Sequence, residues 1–146
     1  MSTVLLLSGP NLNLLGEREP EVYGKETLED HVGRARAIAI ELGHTLEHVQ
    51  SNREGDLVEA IHGARGRCGA IVINAGALTH YAWSLHDALA AFDGVVVELH
   101  LSNPNAREPW RHTSVIAPVA DGSIVGFGGY GYELAMRAVG TLLETR

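Results

Sequence analysis

The chain has 146 residues, 45% hydrophobic and 20% charged, which suits a single domain over residues 1–146 that buries roughly two thirds of its unfolded surface. A formal net charge of −7 argues against nucleic acid as a partner, because phosphate binding needs a basic face. The lone Cys68 excludes an internal disulfide and the opening MSTVLLLSGP lacks the basic start of a signal peptide; with no run near the ~18 apolar residues of a membrane helix, a soluble cytoplasmic protein is expected.

Short β-rich runs alternate with longer amphipathic stretches. TVLLLS predicts a first strand. In TLEDHVGRARAIAIEL the residues Leu28, Val32, Ala35, Ala39 and Leu42 recur at helical spacing, with Thr27 able to cap the start and Gly43 able to end it. HTLEHV, GAIVIN, GVVVELHL and SIVGFG read as further strands, separated by EGDLVEAIHGAR and by an apolar helical stretch through DALAAF. YELAMRAVGTLLE closes the chain as a helix. Five strands and about five helices in βαβ alternation, joined by right-handed crossovers, predict a doubly wound parallel sheet of flavodoxin-like order 2-1-3-4-5 with helices on both faces. In such sheets ligands bind beyond the carboxyl ends of the strands, beside the switch point between strands 1 and 3. The segments after Ser8, Asn74 and His100 therefore hold the candidates.

The connection GPNLNLLGEREPEVYG is long and polar for a βα loop, and long loops in compact domains are functional lids or disordered segments. It carries Asn11 and Asn13, which can fix a ligand or water, together with Arg18 and Tyr23, between possible hinges at Gly16 and Gly24. Tyr23 is either functional or a ring packed on the surface. After the third strand, INAGALTHYAW places Asn74 at the strand end, Gly76 where a ligand can approach the backbone, and His80 at the start of the next helix, with Thr79 as its cap. Side chains alternate along a strand, so Glu98 and His100 share a face; a carboxylate there can orient the ring and raise its pKa, as suits a general acid near neutral pH. The alternative is a buried, satisfied pair. Ser102 follows with a hydroxyl and nearby N–H groups. Arg107 and Arg111, four apart in NAREPWRH, can project from one side of a turn that Pro109 keeps irregular. Guanidinium groups there can bind oxyanions or depress the pKa of a neighbouring acid such as a tyrosine.

Two patterns point elsewhere and fail. GFGGYG at 126–131 has the form of a dinucleotide fingerprint, but no later strand can supply the ribose-binding acid, so a tight turn is expected. His44 and His48 are four apart, but in a strand that spacing is ~13 Å, too far for one ion. Neither a metal nor a cofactor is expected.

With these residues in view, the chain resembles the type II 3-dehydroquinases of the shikimate and quinate pathways along nearly its whole length. GPNLNLLGEREPEVYG, QSNREGDLVEAIH, INAGALTH and ELHLSNPNAREPWRHTSV look like four family motifs in order and spacing. The sequence departs at Tyr81, Ala82 and Trp83 after His80, and at His86 where an arginine is common.

The resemblance implies a cofactor-free lyase that dehydrates 3-dehydroquinate. Tyr23 would abstract the C2 proton as a tyrosinate activated by Arg107 and served by a mobile Arg18, while Asn11 would hold a water that stabilises the enolate. His100, oriented by Glu98, would protonate the departing C1 hydroxyl. The Leu101 backbone and Ser102 would bind the substrate carboxylate, and Asn74, His80 and Arg111 the ring hydroxyls. Asp87 would come from a neighbouring subunit of a dodecamer built of trimers. Type I enzymes instead form a Schiff base through a buried lysine, and the only lysine here is Lys25 in the long loop. The rival from another class is a flavodoxin-like binding module for a phosphorylated ligand, which would need a Ser/Thr/Gly-rich phosphate loop where GPNLNL stands.

Overall fold

The computed structural model describes residues 1–146 apart from the side chain of Tyr23. Five strands, β1 (Thr3–Ser8), β2 (Thr45–Gln50), β3 (Ala70–Asn74), β4 (Val95–His100) and β5 (Gly122–Val125), form an all-parallel sheet in the order β2-β1-β3-β4-β5. This is the predicted flavodoxin-like arrangement. The central strands β3 and β4 are buried along their entire length, as their uninterrupted Val and Ile runs require, whereas the edges β2 and β5 keep exposed positions.

The two-residue period of β1 sends its side chains into two separate cores. Val4 and Leu6 pack with α2 (Leu28–Glu41) and α5 (Tyr130–Glu144), while Leu5 and Leu7 pack with α3 (Glu54–Ala64) and α4 (Trp83–Ala90). Each fully buried aliphatic side chain in these layers contributes roughly 1.5–3 kcal/mol. The predicted start of α2 is a reciprocal capping box: Asp30 N–H donates to Thr27 Oγ1 at 3.2 Å and Thr27 N–H to the Asp30 carboxylate at 3.0 Å. Gly43 at φ +85° carries the chain out of the helix. Leu42 differs from the expected core stripe: it sits at the exposed margin, and Ile38 takes the buried place.

Three further expectations are corrected. His80 ends a 3₁₀ turn, Gly76–His80, instead of starting a helix; α4 begins only at Trp83, and Thr79 Oγ1 is buried rather than capping anything. The local reason is that GALTH tightens into three-residue turns at the strand end. His44 lies outside β2, with Nδ1 accepting from Ser2 N–H, so only His48 is a strand residue. The last strand stops at Val125, and GFGGYG is a turn with Gly126 and Gly128 at positive φ leading into α5. The long first loop also contains a 3₁₀ turn, Leu12–Leu14, and the short α1 (Pro20–Tyr23).

Candidate active site

The connections after β1 and β3 are locked together at the switch point. Gly9 N–H donates to the Asn74 carbonyl at 2.8 Å, and a Cβ on Gly9 would lie 2.5 Å from the Ala75 carbonyl oxygen, so any side chain would part the two backbones. Gln50 Nε2 donates to the Gly9 carbonyl and to Asn52 Oδ1, and Asn52 Oδ1 accepts from Asn11 N–H at 3.0 Å. These contacts hold Asn11 in the left-handed region, φ 70°, which asparagine tolerates better than most residues. Gln50 and Asn52 were invisible as site-supporting residues in the sequence because each acts across some 40 positions of chain.

β4 delivers the expected pair. His100 Nε2 lies 2.8 Å from Glu98 Oε2, and both residues are buried. The same oxygen accepts from Ser114 Oγ at 2.6 Å, and Oε1 accepts from Ser123 Oγ at 3.0 Å. Burial alone pushes the Glu98 pKa up, but hydrogen bonds from His100, Ser114 and Ser123 together outweigh it and leave the carboxyl below its ordinary value. Glu98 is therefore an anchored anion, and Nδ1 is the His100 nitrogen left for a cleft ligand. Neither serine was singled out in the sequence.

Beyond the strand end the chain runs through two 3₁₀ turns, Pro104–Ala106 and Pro109–Arg111. They bring Arg107 and Arg111 to one side, as their spacing suggested. Arg107 donates to Ser102 Oγ at 3.2 Å, and Arg111 pairs with Glu108 at 3.1 Å while its guanidinium stacks 4.0 Å from the centre of the Trp110 ring. Glu108 is held below the usual carboxylate range by its own backbone N–H and then by Arg111. His80 Nδ1 donates to the Thr113 carbonyl at 2.7 Å, and the ring meets Trp110 edge-on. Burial lowers its pKa, only partly opposed by that hydrogen bond, so the ring is neutral at neutral pH with Nε2 an acceptor.

These side chains line one cleft that is partly open to solvent. Asn11, Arg18, Asn74, His80, His100, Leu101, Ser102, Arg107 and Arg111 all border it, with Glu98 directly behind His100. Of the sequence candidates, Asn13 faces a different cleft, Asp87 is exposed on α4 away from this one, and the side chain of Tyr23 lies outside the described residues. Three guanidinium groups beside a buried carboxylate–imidazole pair suit an anionic ligand.

The model of the family described as dehydroquinase class II matches residues 2–140. A 3-dehydroquinate dehydratase of Halalkalibacterium halodurans is 50% identical, covering 95% of this chain and 96% of its own, and a catabolic 3-dehydroquinase of Aspergillus clavatus is 51% identical over 99% and 96%. The crystal structure of a type II dehydroquinase from Butyrivibrio crossotus superposes with a TM-score of 0.90 at 41% identity, covering 94% of this chain and 97% of its own. A cleft built on the strand ends of this sheet, and likeness over nearly the full length, together make the chain a member of the dehydroquinase class II family.

Proposed function

We propose that the chain dehydrates 3-dehydroquinate to 3-dehydroshikimate by abstraction of the C2 proton, formation of an enolate and loss of the C1 hydroxyl, without a Schiff base or a metal. The observation that carries this reading is the Glu98–His100 pair opening into a cleft ringed by Arg18, Arg107 and Arg111. A proton next to a ketone is weakly acidic, so the step needs a strong base and stabilisation of the oxyanion that forms.

In this reading Tyr23 is the base. A free tyrosine has a pKa of ~10, so it needs cations beside it to act near neutral pH; Arg107 and Arg18 border the cleft, and Arg18 belongs to the same loop as Tyr23. Asn11 holds a water against the enolate oxygen. His100, kept in one orientation by Glu98, gives its proton to the leaving hydroxyl through Nδ1. The substrate carboxylate is bound by the Leu101 backbone and Ser102, whose hydroxyl already accepts from Arg107. Asn74, His80 and Arg111 hold the ring hydroxyls.

The same reading makes the assembly a dodecamer of trimers in which Asp87 completes a neighbour's cleft. It is supported by the exposure of Asp87 on α4 and by two large hydrophobic residues nearby in the chain, Tyr81 and Trp83, that are each more than 60% exposed, as residues covered by a subunit contact would be in the isolated chain. The test of function is incubation of the purified protein with 3-dehydroquinate while the ultraviolet absorbance of the conjugated enone product is followed. Steady appearance of the enone is expected; no turnover would overturn the assignment.

A further inference from the structure

Two of the proposed substrate ligands, His80 and Arg111, come from different turns and touch the same third residue. The Trp110 ring lies under the Arg111 guanidinium, whose central carbon is 4.0 Å from the ring centre, and it meets the His80 ring at 5.4 Å with the two planes 87° apart. A planar guanidinium is weakly hydrated and stacks on an aromatic face, where the ring quadrupole attracts it. A near-perpendicular ring pair is likewise an arrangement that aromatic quadrupoles favour over a face-to-face one. His80 is itself fixed, because its Nδ1 donates to the Thr113 carbonyl at 2.7 Å. Position therefore passes from the backbone at Thr113 to the His80 ring, to Trp110 and on to Arg111. Trp110 stands outside the lining of the cleft that His80 and Arg111 border, and it is 52% exposed. Single exposed apolar residues are common on protein surfaces, so the exposure argues nothing by itself; what distinguishes Trp110 is that its ring contacts fall on two cleft residues. The other support of Arg111 is Glu108, whose Oε2 accepts from Arg111 Nε at 3.1 Å, but that carboxylate is half exposed and solvent screening weakens its hold. With Nε given to Glu108 and one face to Trp110, the terminal amino groups of Arg111 are the donors left for a ligand in the cleft.

We propose that Trp110 is a positioning residue: braced against His80, it holds the Arg111 guanidinium with its terminal N–H groups presented to the substrate. The inference rests on the reading of Arg111 as a substrate ligand. An arginine that is already stacked gives up less rotamer freedom when the substrate arrives, so the contact strengthens binding without taking part in proton transfer. Its loss is therefore felt in KM more than in kcat. Leucine fills part of the same apolar space but offers no aromatic face. Phenylalanine keeps a smaller face, over which a cation is held less strongly than over an indole.

The experiment measures kcat and KM for 3-dehydroquinate at neutral pH for wild type, Trp110→Leu, Trp110→Phe, Arg111→Ala and the double variant that combines Trp110→Leu with Arg111→Ala. Subunit number is followed in each by light scattering. Trp110 is half exposed, so its replacement removes no core side chain and the variants are expected to fold. Trp110→Leu is expected to raise KM about 3- to 10-fold, the range set by one cation–π contact, with kcat within about twofold of wild type. Trp110→Phe is expected to recover most of that loss. The double variant should have a KM within about twofold of Arg111→Ala alone, because the residue through which Trp110 acts is gone. An unchanged KM in Trp110→Leu, a Trp110→Phe enzyme no better than Trp110→Leu, or a rise in KM of the same size with and without Arg111 overturns the inference. A change of subunit number in Trp110→Leu overturns it as well, since the ring would then be an interface residue. If Arg111→Ala itself leaves KM unchanged, the reading of Arg111 as a substrate ligand falls and the positioning role with it; if Arg111→Ala raises KM while Trp110→Leu does not, the positioning role alone is refuted.

Discussion

The Glu98 carboxylate and the His100 ring, two residues apart on β4, meet at 2.8 Å, and Ser114 and Ser123 hold the carboxylate from two other segments. The carboxylate cannot swing away from the ring without abandoning both hydroxyls. Ser114→Ala combined with Ser123→Ala is expected to lower thermal stability by about 2–5 kcal/mol, because each hydrogen bond to a charged group contributes roughly 1.5–3 kcal/mol, less where a replacement water enters. It should also lower kcat more than it raises KM, since the pair orients an acid and need not touch the substrate. Steady-state kinetics with thermal unfolding check both; unchanged kcat would separate the serines from the mechanism.

The depressed pKa of Glu98 has a definite sign in stability. The unfolded chain takes up the proton first as pH falls, so the stabilisation is complete above the ordinary glutamate value of ~4.3 and is lost as pH falls through the lower folded-state value. Urea midpoints measured against pH should therefore fall more steeply below ~4.3 for wild type than for Glu98→Gln. Parallel curves would mean that Glu98 does not report this linkage.

Lys25, the only lysine in the sequence, is exposed between α1 and α2, whereas a Schiff-base lysine is a buried one. Activity is expected to survive borohydride in the presence of substrate. It is also expected to survive chelators, because the proposed proton transfers use only Tyr23, His100 and their neighbours. Inactivation by borohydride would require an imine; inactivation by a chelator, with recovery on adding metal, would require an ion.

Asp87 stands on the exposed side of α4 and outside the cleft of its own chain. Light scattering is expected to give an assembly of twelve subunits, and Asp87→Asn to raise KM without dissociating it. A fully active monomer at assay concentration would contradict both the assembly and the shared site.

What the sequence revealed follows from the range of the interactions involved. The parallel strands declared themselves through unbroken apolar runs, and the two-residue period of a strand was enough to put Glu98 and His100 on one face. The spacing of Arg107 and Arg111 carried across even though Pro109 replaced a regular helix with 3₁₀ turns. His80 was misplaced onto a helix because a 3₁₀ turn and an α-helix start have similar composition. Ser114, Ser123, Gln50 and Asn52 had no local signature at all: each meets its partner only after the sheet has assembled, at separations of 16, 25 or about 40 residues.

Tyr23 as the base and His100 as the acid are the two central roles proposed for the cleft. The decisive measurement is kcat and kcat/KM for 3-dehydroquinate, against pH, for wild type, Tyr23→Phe and His100→Ala, with ligand binding and folding checked in each. Both variants are expected to fold and to bind, and each to lose turnover by at least ~10²-fold, the scale of general acid–base catalysis. A Tyr23→Phe enzyme that turns over at close to the wild-type rate would contradict the assignment of the base, and a near-normal His100→Ala would return the Glu98–His100 pair to a structural role.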